Sequence, residues 1–197
     1  MTAPSDEPVR CAWSLSAPEF LAYHDDEWGM PVAADRRLFE KLCLEGFQSG
    51  LSWRTILAKR ENFRAAFANF DFEKVASFTA EDVERLMKDA AIVRHRGKIE
   101  AAIHNAARAM EMVEKEGSIG AFVWGYEPPS DVQRMLPAST SEASIALSKA
   151  LKKRGWKFVG PTTVYAFMQA MGLVNDHHAS CFVRARHERA REAFTRP

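Results

Sequence analysis

Apolar positions recur three and four residues apart along most of the chain, the spacing of one face of an α-helix. From Asp35 to about Gln48, Leu38, Phe39, Leu42 and Cys43 share such a face, with Asp35 placed to cap its start. Trp53 to Phe67 has mixed apolar spacing and none of the alternation of a strand. Thr79-x-x-Asp82 has the form of a capping box ahead of Val83, Leu86 and Met87. Arg96 to Glu116 reads as a long amphipathic helix stopped by Gly117. Ser139-x-x-Glu142 reads as a second capping box, opening a helix through Arg154 that stops at Gly155. Pro161 suits the first turn of a helix running to Met171 and stopped by Gly172, and a last helix is expected from near Asp176. No segment reads as a strand hairpin, an internal repeat or a low-complexity tract. The stretch from about Gly125 to Ala138, with three prolines, is the clearest loop. The pattern predicts an all-α fold, read as one compact domain over residues 1–197.

Composition narrows the class. A chain of 197 residues with 47% hydrophobic and 27% charged residues can bury a substantial core. No stretch approaches the roughly 18 apolar residues of a membrane span. The start, MTAPSDEPVR, lacks a charged-then-apolar leader, so a cytoplasmic location is expected. Three cysteines cannot all pair within the chain, and in a reducing compartment they read as thiols or metal ligands. The net charge of +1 argues against broad coating of a polyanion. Basic residues nevertheless cluster at Arg94-His95-Arg96-Gly97-Lys98, at Lys149, Lys152, Lys153, Arg154 and Lys157, and along the tail at Arg184, Arg186, Arg189 and Arg191. Such clusters either grip one phosphate backbone locally or are solvated helix faces.

Two Cys/His pairs stand at opposite ends of the chain: Cys11-x12-His24 and His177-x3-Cys181. If the second pair is helical, its i, i+4 spacing points both side chains the same way. Two thiolates and two imidazoles complete a tetrahedral zinc site, which is then structural, with no position left for water. The spacing is not that of a zinc finger, and a buried cysteine beside an ordinary helix face explains it equally simply. His178 competes with His177 as the ligand. Cys43, in an apolar helix face, reads as core.

The run ALSKALKKRG-WKFVG-PTTVYAFMQAMG reads as helix, short hairpin, helix, a motif spanning about residues 142–171. Phe158-Val159-Gly160 places a glycine at the expected tight turn, where backbone can approach a phosphate at the start of the next helix. With Lys152 and Lys153 nearby, Lys157, Val159, Gly160 and Thr162 are the candidate DNA contacts of a sequence-independent anchor. A plain pair of helices is the simpler alternative. Near the first zinc pair lie Trp13, Tyr23 and Trp28, followed by Glu45 in an apolar run and then Trp53. A carboxylate in such a run needs a partner or a task. Aromatic rings around one carboxylate suit a flat base, with stacking from the rings and hydrogen bonds accepted by the carboxylate. Taken one at a time, these tryptophans read as core and Glu45 as a solvated position.

The runs RCAW, YHDDEWG, LFEKLCLEGFQSGLSW, ILAKRENFRAAF, DVERLMKDAAIVRHRGKI and ALSKALKKRGWKFVGPTTVYAFMQAMGLVNDH closely resemble the bacterial DNA-3-methyladenine glycosylase I family, over about residues 10 to 181. The resemblance implies an all-α helix–hairpin–helix glycosylase fold whose ends are tied by one structural Zn2+, held by Cys11, His24, His177 and Cys181. It implies a base pocket with Glu45 and Tyr23 as hydrogen-bond partners, Glu45 as the catalytic residue, Trp53 as the stacking face, and Trp13 and Trp28 as walls. Gly50 and Leu51 fall where the family fills the gap left by a flipped nucleotide. The implied partner is double-stranded DNA carrying alkylated purines, bound by a monomer without a nucleotide cofactor. The implied setting is the bacterial cytoplasm and nucleoid. Asp176 is read as orienting His177, with a catalytic carboxylate as the alternative. The basic tail from Phe182 to Pro197 matches no part of the family pattern. Methylation at N3 leaves the base cationic and easily lost, so rings and a carboxylate around it are the expected recognition elements. No lysine stands out as a Schiff-base nucleophile, which points to base removal without strand cleavage. A non-catalytic DNA-binding protein, a zinc hydrolase and a purely structural zinc protein are the rival readings.

Overall fold

A computed structural model describes residues 7–129 and 138–197. Among them the chain forms eleven α-helices and two short 3-10 turns, with no strand. The helices are α1 Glu19–Asp26, α2 Asp35–Gln48, α3 Trp53–Ala58, α4 Arg60–Ala66, α5 Phe72–Ala76, α6 Ala80–Lys88, α7 Arg96–Glu116, α8 Ile119–Trp124, α9 Glu142–Lys153, α10 Pro161–Ala170 and α11 Arg184–Ala193. No helix in the described residues is long and apolar enough to cross a membrane. The proline-rich loop expected between Gly125 and Ala138 lies mostly outside the described residues.

Helix α2 is the axis of the core. Leu38, Phe39, Leu42, Leu44 and Phe47 are all buried, and α10, α7 and α8 pack around the helix. Removing one such side chain from water is worth about 1.5–3 kcal/mol. Helix starts follow their local chemistry. Ser52, Asp71 and Ser118 each accept a backbone N–H at the head of α3, α5 and α8. The Thr79–Asp82 capping box forms as expected.

Other boundaries differ from expectation. The second capping box joins Ser141 to Ser144, not Ser139 to Glu142. Asp35 is the first helical residue, not the cap. Its carboxylate accepts the Gly120 N–H at 3.0 Å and so ties α2 to α8. The stretch after Trp53 breaks into two helices at Lys59. The last helix begins at Arg184 and not near Asp176. Asn175 accounts for the delay: its side chain meets the His177 N–H and the Arg184 carbonyl, offering backbone groups there an alternative to helical pairing.

The basic tail folds back onto the body. His187 and Arg191 of α11 are buried. Arg191 donates to the carbonyls of Gly172 at 2.8 Å and Leu173 at 3.1 Å, and pairs with Glu127 at 2.8 Å. Gly172 itself has φ +78°, and a Cβ there would lie 2.5 Å from the Pro31 nitrogen, so the Gly29–Val32 segment can lie flush against the end of α10.

Candidate active site and metal centre

Chain ends meet at a dry corner. Cys11, His24, His177 and Cys181 are at most 5% exposed, and their ligand atoms all lie within 4.8 Å of one another. Cys181 Sγ is 3.4 Å from His24 Nε2 and 3.6 Å from His177 Nδ1, and Cys11 Sγ is 3.6 Å from His177 Nδ1. Tetrahedral zinc with ordinary Zn–S and Zn–N bonds requires sulfur–nitrogen edges of about 3.5–3.6 Å, so the donor set fits such an ion in number and type, and these three edges fit it in length. Burial pushes the Cys11 thiol up to about 11 and the His177 imidazole down to about 4, so an enclosed cation is what would turn these groups into ligands.

His178 does not compete for the place. Its ring is exposed and turned to Ser180, while its backbone N–H donates to Cys11 Sγ at 3.3 Å. The His177–Cys181 pair converges through a turn closed by the Cys181 N–H and the His178 carbonyl at 2.9 Å, not along a helix as expected. A second layer orients both imidazoles. Asp25 faces His24 Nδ1 at 2.7 Å and is held by both Arg10 donors. His177 Nε2 faces the Trp28 carbonyl at 2.9 Å and His187 Nδ1 at 2.8 Å. His187, in the unplaced tail, carried no signal in the sequence.

Rings lead from this corner into a cavity of about 740 Å³. Trp28 packs edge-on against both His177 and Trp13, at 4.7 Å and 5.1 Å between centroids. Trp13, Tyr23, Trp28, Glu45 and Trp53, the five expected pocket residues, all line the cavity. Its volume suits a small organic ligand. Asp176 also lines it, and its carboxylate accepts from Tyr165 at 2.5 Å and Gln169 at 3.0 Å.

Lys41, which is not among the residues expected in the pocket, sits among them. This residue is 5% exposed, and its ammonium pairs with Glu45 at 2.7 Å and donates to the Tyr23 hydroxyl at 2.8 Å. It also sits 3.4 Å from the centre of the Trp53 ring. Burial pulls the Lys41 pKa down while Glu45 opposes the shift, and burial with the nearby Glu45 charge pushes Tyr23 well up, leaving it a neutral phenol. Lys41 and Glu45 stand at i, i+4, a spacing that ordinarily marks a solvated surface pair. The available clue was that Leu38 and Leu42 flank Lys41 within the same apolar run.

Helix α2 runs from this pocket to an exposed turn. Gly50 there has φ +78°, and Leu51 is 43% exposed, a large apolar side chain facing outward. Lys98, grouped above with the basic clusters, is buried and donates to the Phe47 carbonyl at 2.9 Å and to the Ser49 carbonyl, capping the end of α2. It is therefore unavailable to phosphate. Between α9 and α10, Lys157 and Thr162 are exposed. The Val159 side chain is core, and its carbonyl accepts from Ser148, so only its backbone N–H remains as a phosphate donor. Gly160 has extended backbone at the head of α10, and the left-handed turn belongs to Gly155 and Phe158, contrary to the expected placement. Asn105 holds the Lys157 backbone by both its N–H and its carbonyl. Gly46 lets Phe158 approach α2, since a Cβ on Gly46 would meet the Phe158 Cβ at 3.3 Å.

Residues 13–185 match the methyladenine glycosylase family. The chain is 54% identical over 178 residues to DNA-3-methyladenine glycosylase 1 of Escherichia coli (strain K12), covering 87% of this chain and 95% of that one. It superposes with TM-score 0.84 on 3-methyladenine DNA glycosylase I from Staphylococcus aureus, 39% identical, covering 89% of this chain and 96% of that one. A single-residue variant of a 3-methyladenine DNA glycosylase I in complex with 3-methyladenine superposes with TM-score 0.83 at 39% identity, covering 89% of this chain and 97% of that one.

Proposed function

The chain belongs to the methyladenine glycosylase family, and on that footing we propose how its cavity works: the enzyme is a DNA-3-methyladenine glycosylase that hydrolyses the N-glycosidic bond of 3-methyladenine flipped out of alkylated duplex DNA. The observation that carries the residue assignment is the convergence of Glu45, Tyr23 and Trp53 on the 740 Å³ cavity. Trp53 stacks on the base, Tyr23 and Glu45 hydrogen-bond its edge, and Trp13 and Trp28 close the sides. Bond breaking sends the glycosidic electron pair to the purine and cancels the charge that methylation placed there. Water adds to the sugar carbon and its proton passes to the solvent. The leaving group is already activated, so the protein's share is extrusion, orientation and selection.

On the DNA side, α9 and α10 form a helix–hairpin–helix anchor. Lys157 and Thr162 reach phosphate with their side chains, while Gly160 and the Val159 N–H offer main chain. Leu51, on the Gly50 turn, fills the gap left by the flipped nucleotide. Zn2+ held by Cys11, His24, His177 and Cys181 ties the chain ends together. It supplies folding free energy and leaves no coordination position for chemistry. One monomeric domain is the working unit, and the large apolar cluster from Leu38 to Val174 supports the reading of a single domain.

Incubating the protein with N-methylated DNA and identifying the released bases tests the reading. Free 3-methyladenine, released without strand cleavage, is the expected product. Binding without release would make the protein a passive DNA binder, and a borohydride-trapped protein–DNA adduct would refute the direct-water mechanism.

A further inference from the structure

An ammonium has three donors, and Lys41 meets three groups: Glu45 Oε1 at 2.7 Å, the Tyr23 hydroxyl oxygen at 2.8 Å and the Trp53 ring face at 3.4 Å. These are the same three side chains assigned to the base. We propose that Lys41 sets the charge of the base pocket: it cancels Glu45, so the pocket selects its purine by hydrogen bonding and stacking and disfavours a base that keeps a positive charge. The proposal rests on the base-pocket reading of this cavity.

Three consequences give it content. The Lys41–Glu45 pair is neutral overall, so a cation entering beside the carboxylate meets an ammonium directly behind it. A cation on one face of an aromatic ring also weakens the ring's attraction for a second cation on the other face. Finally, the Tyr23 oxygen accepts from Lys41, which leaves the hydroxyl hydrogen free to turn to an acceptor in the cavity that Tyr23 lines.

Behind Glu45, Glu27 binds Arg60 and Arg37, and Glu40 binds Arg64 and Arg37; on the cavity wall Arg10 binds Asp25 and the Asp176 carboxylate accepts from Tyr165 and Gln169, so Lys41 is the cation that acts on Glu45 most directly. The arrangement favours the reaction's direction. Positive charge leaves the purine as the glycosidic bond breaks, so an environment that disfavours the cationic base lies closer to the transition state than to the substrate.

The test compares two small ligands at one mildly alkaline pH: neutral 3-methyladenine and 3,9-dimethyladeninium, a fixed cation. Each is titrated calorimetrically into the full-length wild type, Lys41→Met and Lys41→Arg. The expected wild type binds the neutral base at least as tightly as the cation. Lys41→Met is expected to raise the cation-to-neutral affinity ratio by about tenfold or more, and Lys41→Arg to keep it within about threefold of wild type. Loss of packing alone would weaken both ligands together and leave the ratio unmoved. If Lys41→Met fails to fold, Lys41→Gln is read in the same way. A ratio unchanged in the uncharged variants, or a wild type that favours the cation tenfold, overturns the proposal. A wild type that binds neither ligand overturns the base-pocket reading itself and the charge proposal with it.

Discussion

The Cys/His corner and the proposed base pocket share a wall of rings but are built on opposite principles. The corner gathers residues more than 150 positions apart, as with Cys181 and His24, into a dry set of four donors that face one another. The pocket draws Lys41 and Glu45 from successive turns of one helix, balances their charges, and faces an open cavity. A closed donor set is complete in itself and can only hold. A balanced pair beside open space is complete only when something enters. Burial is the same at both places, about 5% for Cys11 and Glu45 alike, so exposure does not separate the structural site from the chemical one. The direction in which the polar atoms point does.

That contrast is breakable by mutation. The largest effect is expected at the corner. Cys11→Ser should remove the metal, counted by elemental analysis, and cost at least about 4 kcal/mol of stability, a melting drop of roughly 10 °C or more by calorimetry. Full metal content with unchanged melting would refute Cys11 as a ligand and with it the metal tie between the chain ends. The pocket should respond the other way round. Glu45→Gln should lower kcat/KM for base release by about 100-fold with the fold kept and a smaller melting loss than Cys11→Ser, the loss coming from the buried Lys41 ammonium left without its counter-charge. A variant that melts early but excises normally would reverse the assignment. Next comes Leu51→Ala, expected to weaken excision from duplex DNA by about tenfold and to leave binding of the free base unchanged, since the side chain is exposed and lies outside the cavity lining.

The smallest effect belongs to the tail. Desolvation would raise the Glu127 carboxyl, but hydrogen bonds from Arg196 and Arg191 overcome it and hold the pKa below the usual range. A carboxyl lowered on folding stabilises the protein above its unfolded pKa, and that stability fades as the pH falls through the lowered value. Glu127→Gln should therefore cost about 1 kcal/mol near neutral pH and flatten the acid limb of a denaturation profile. Equal acid limbs in both proteins would show that the tail is held by other contacts.

How much of this was legible beforehand follows from the physics of each feature. Helix class and most helix spans could be read because apolar spacing and caps are local: α7 runs from Arg96 to Glu116 as expected. Starts went wrong where a side chain had a distant partner. Asp35 is spent on Gly120, and Asn175 on the chain around His177, and neither partner is visible in a linear string. The expected pocket residues were brought together, yet the cation among them was not foreseen, because a lysine four residues before a glutamate looks the same on a surface as in a core. His187 beside His177 and Lys98 beneath α2 were hidden for the same reason. Their roles exist only after helices far apart in the chain have packed.

Helix α2 has a mechanical consequence. Glu45 lies near the end of α2 and Leu51 on the turn three residues past Gln48, and Lys98 clamps the join between them by donating to the Phe47 and Ser49 carbonyls. The proposed reader of the base and the proposed plug for the hole it leaves thus sit on one clamped segment of chain, so seating Leu51 and loading the pocket are expected to occur together.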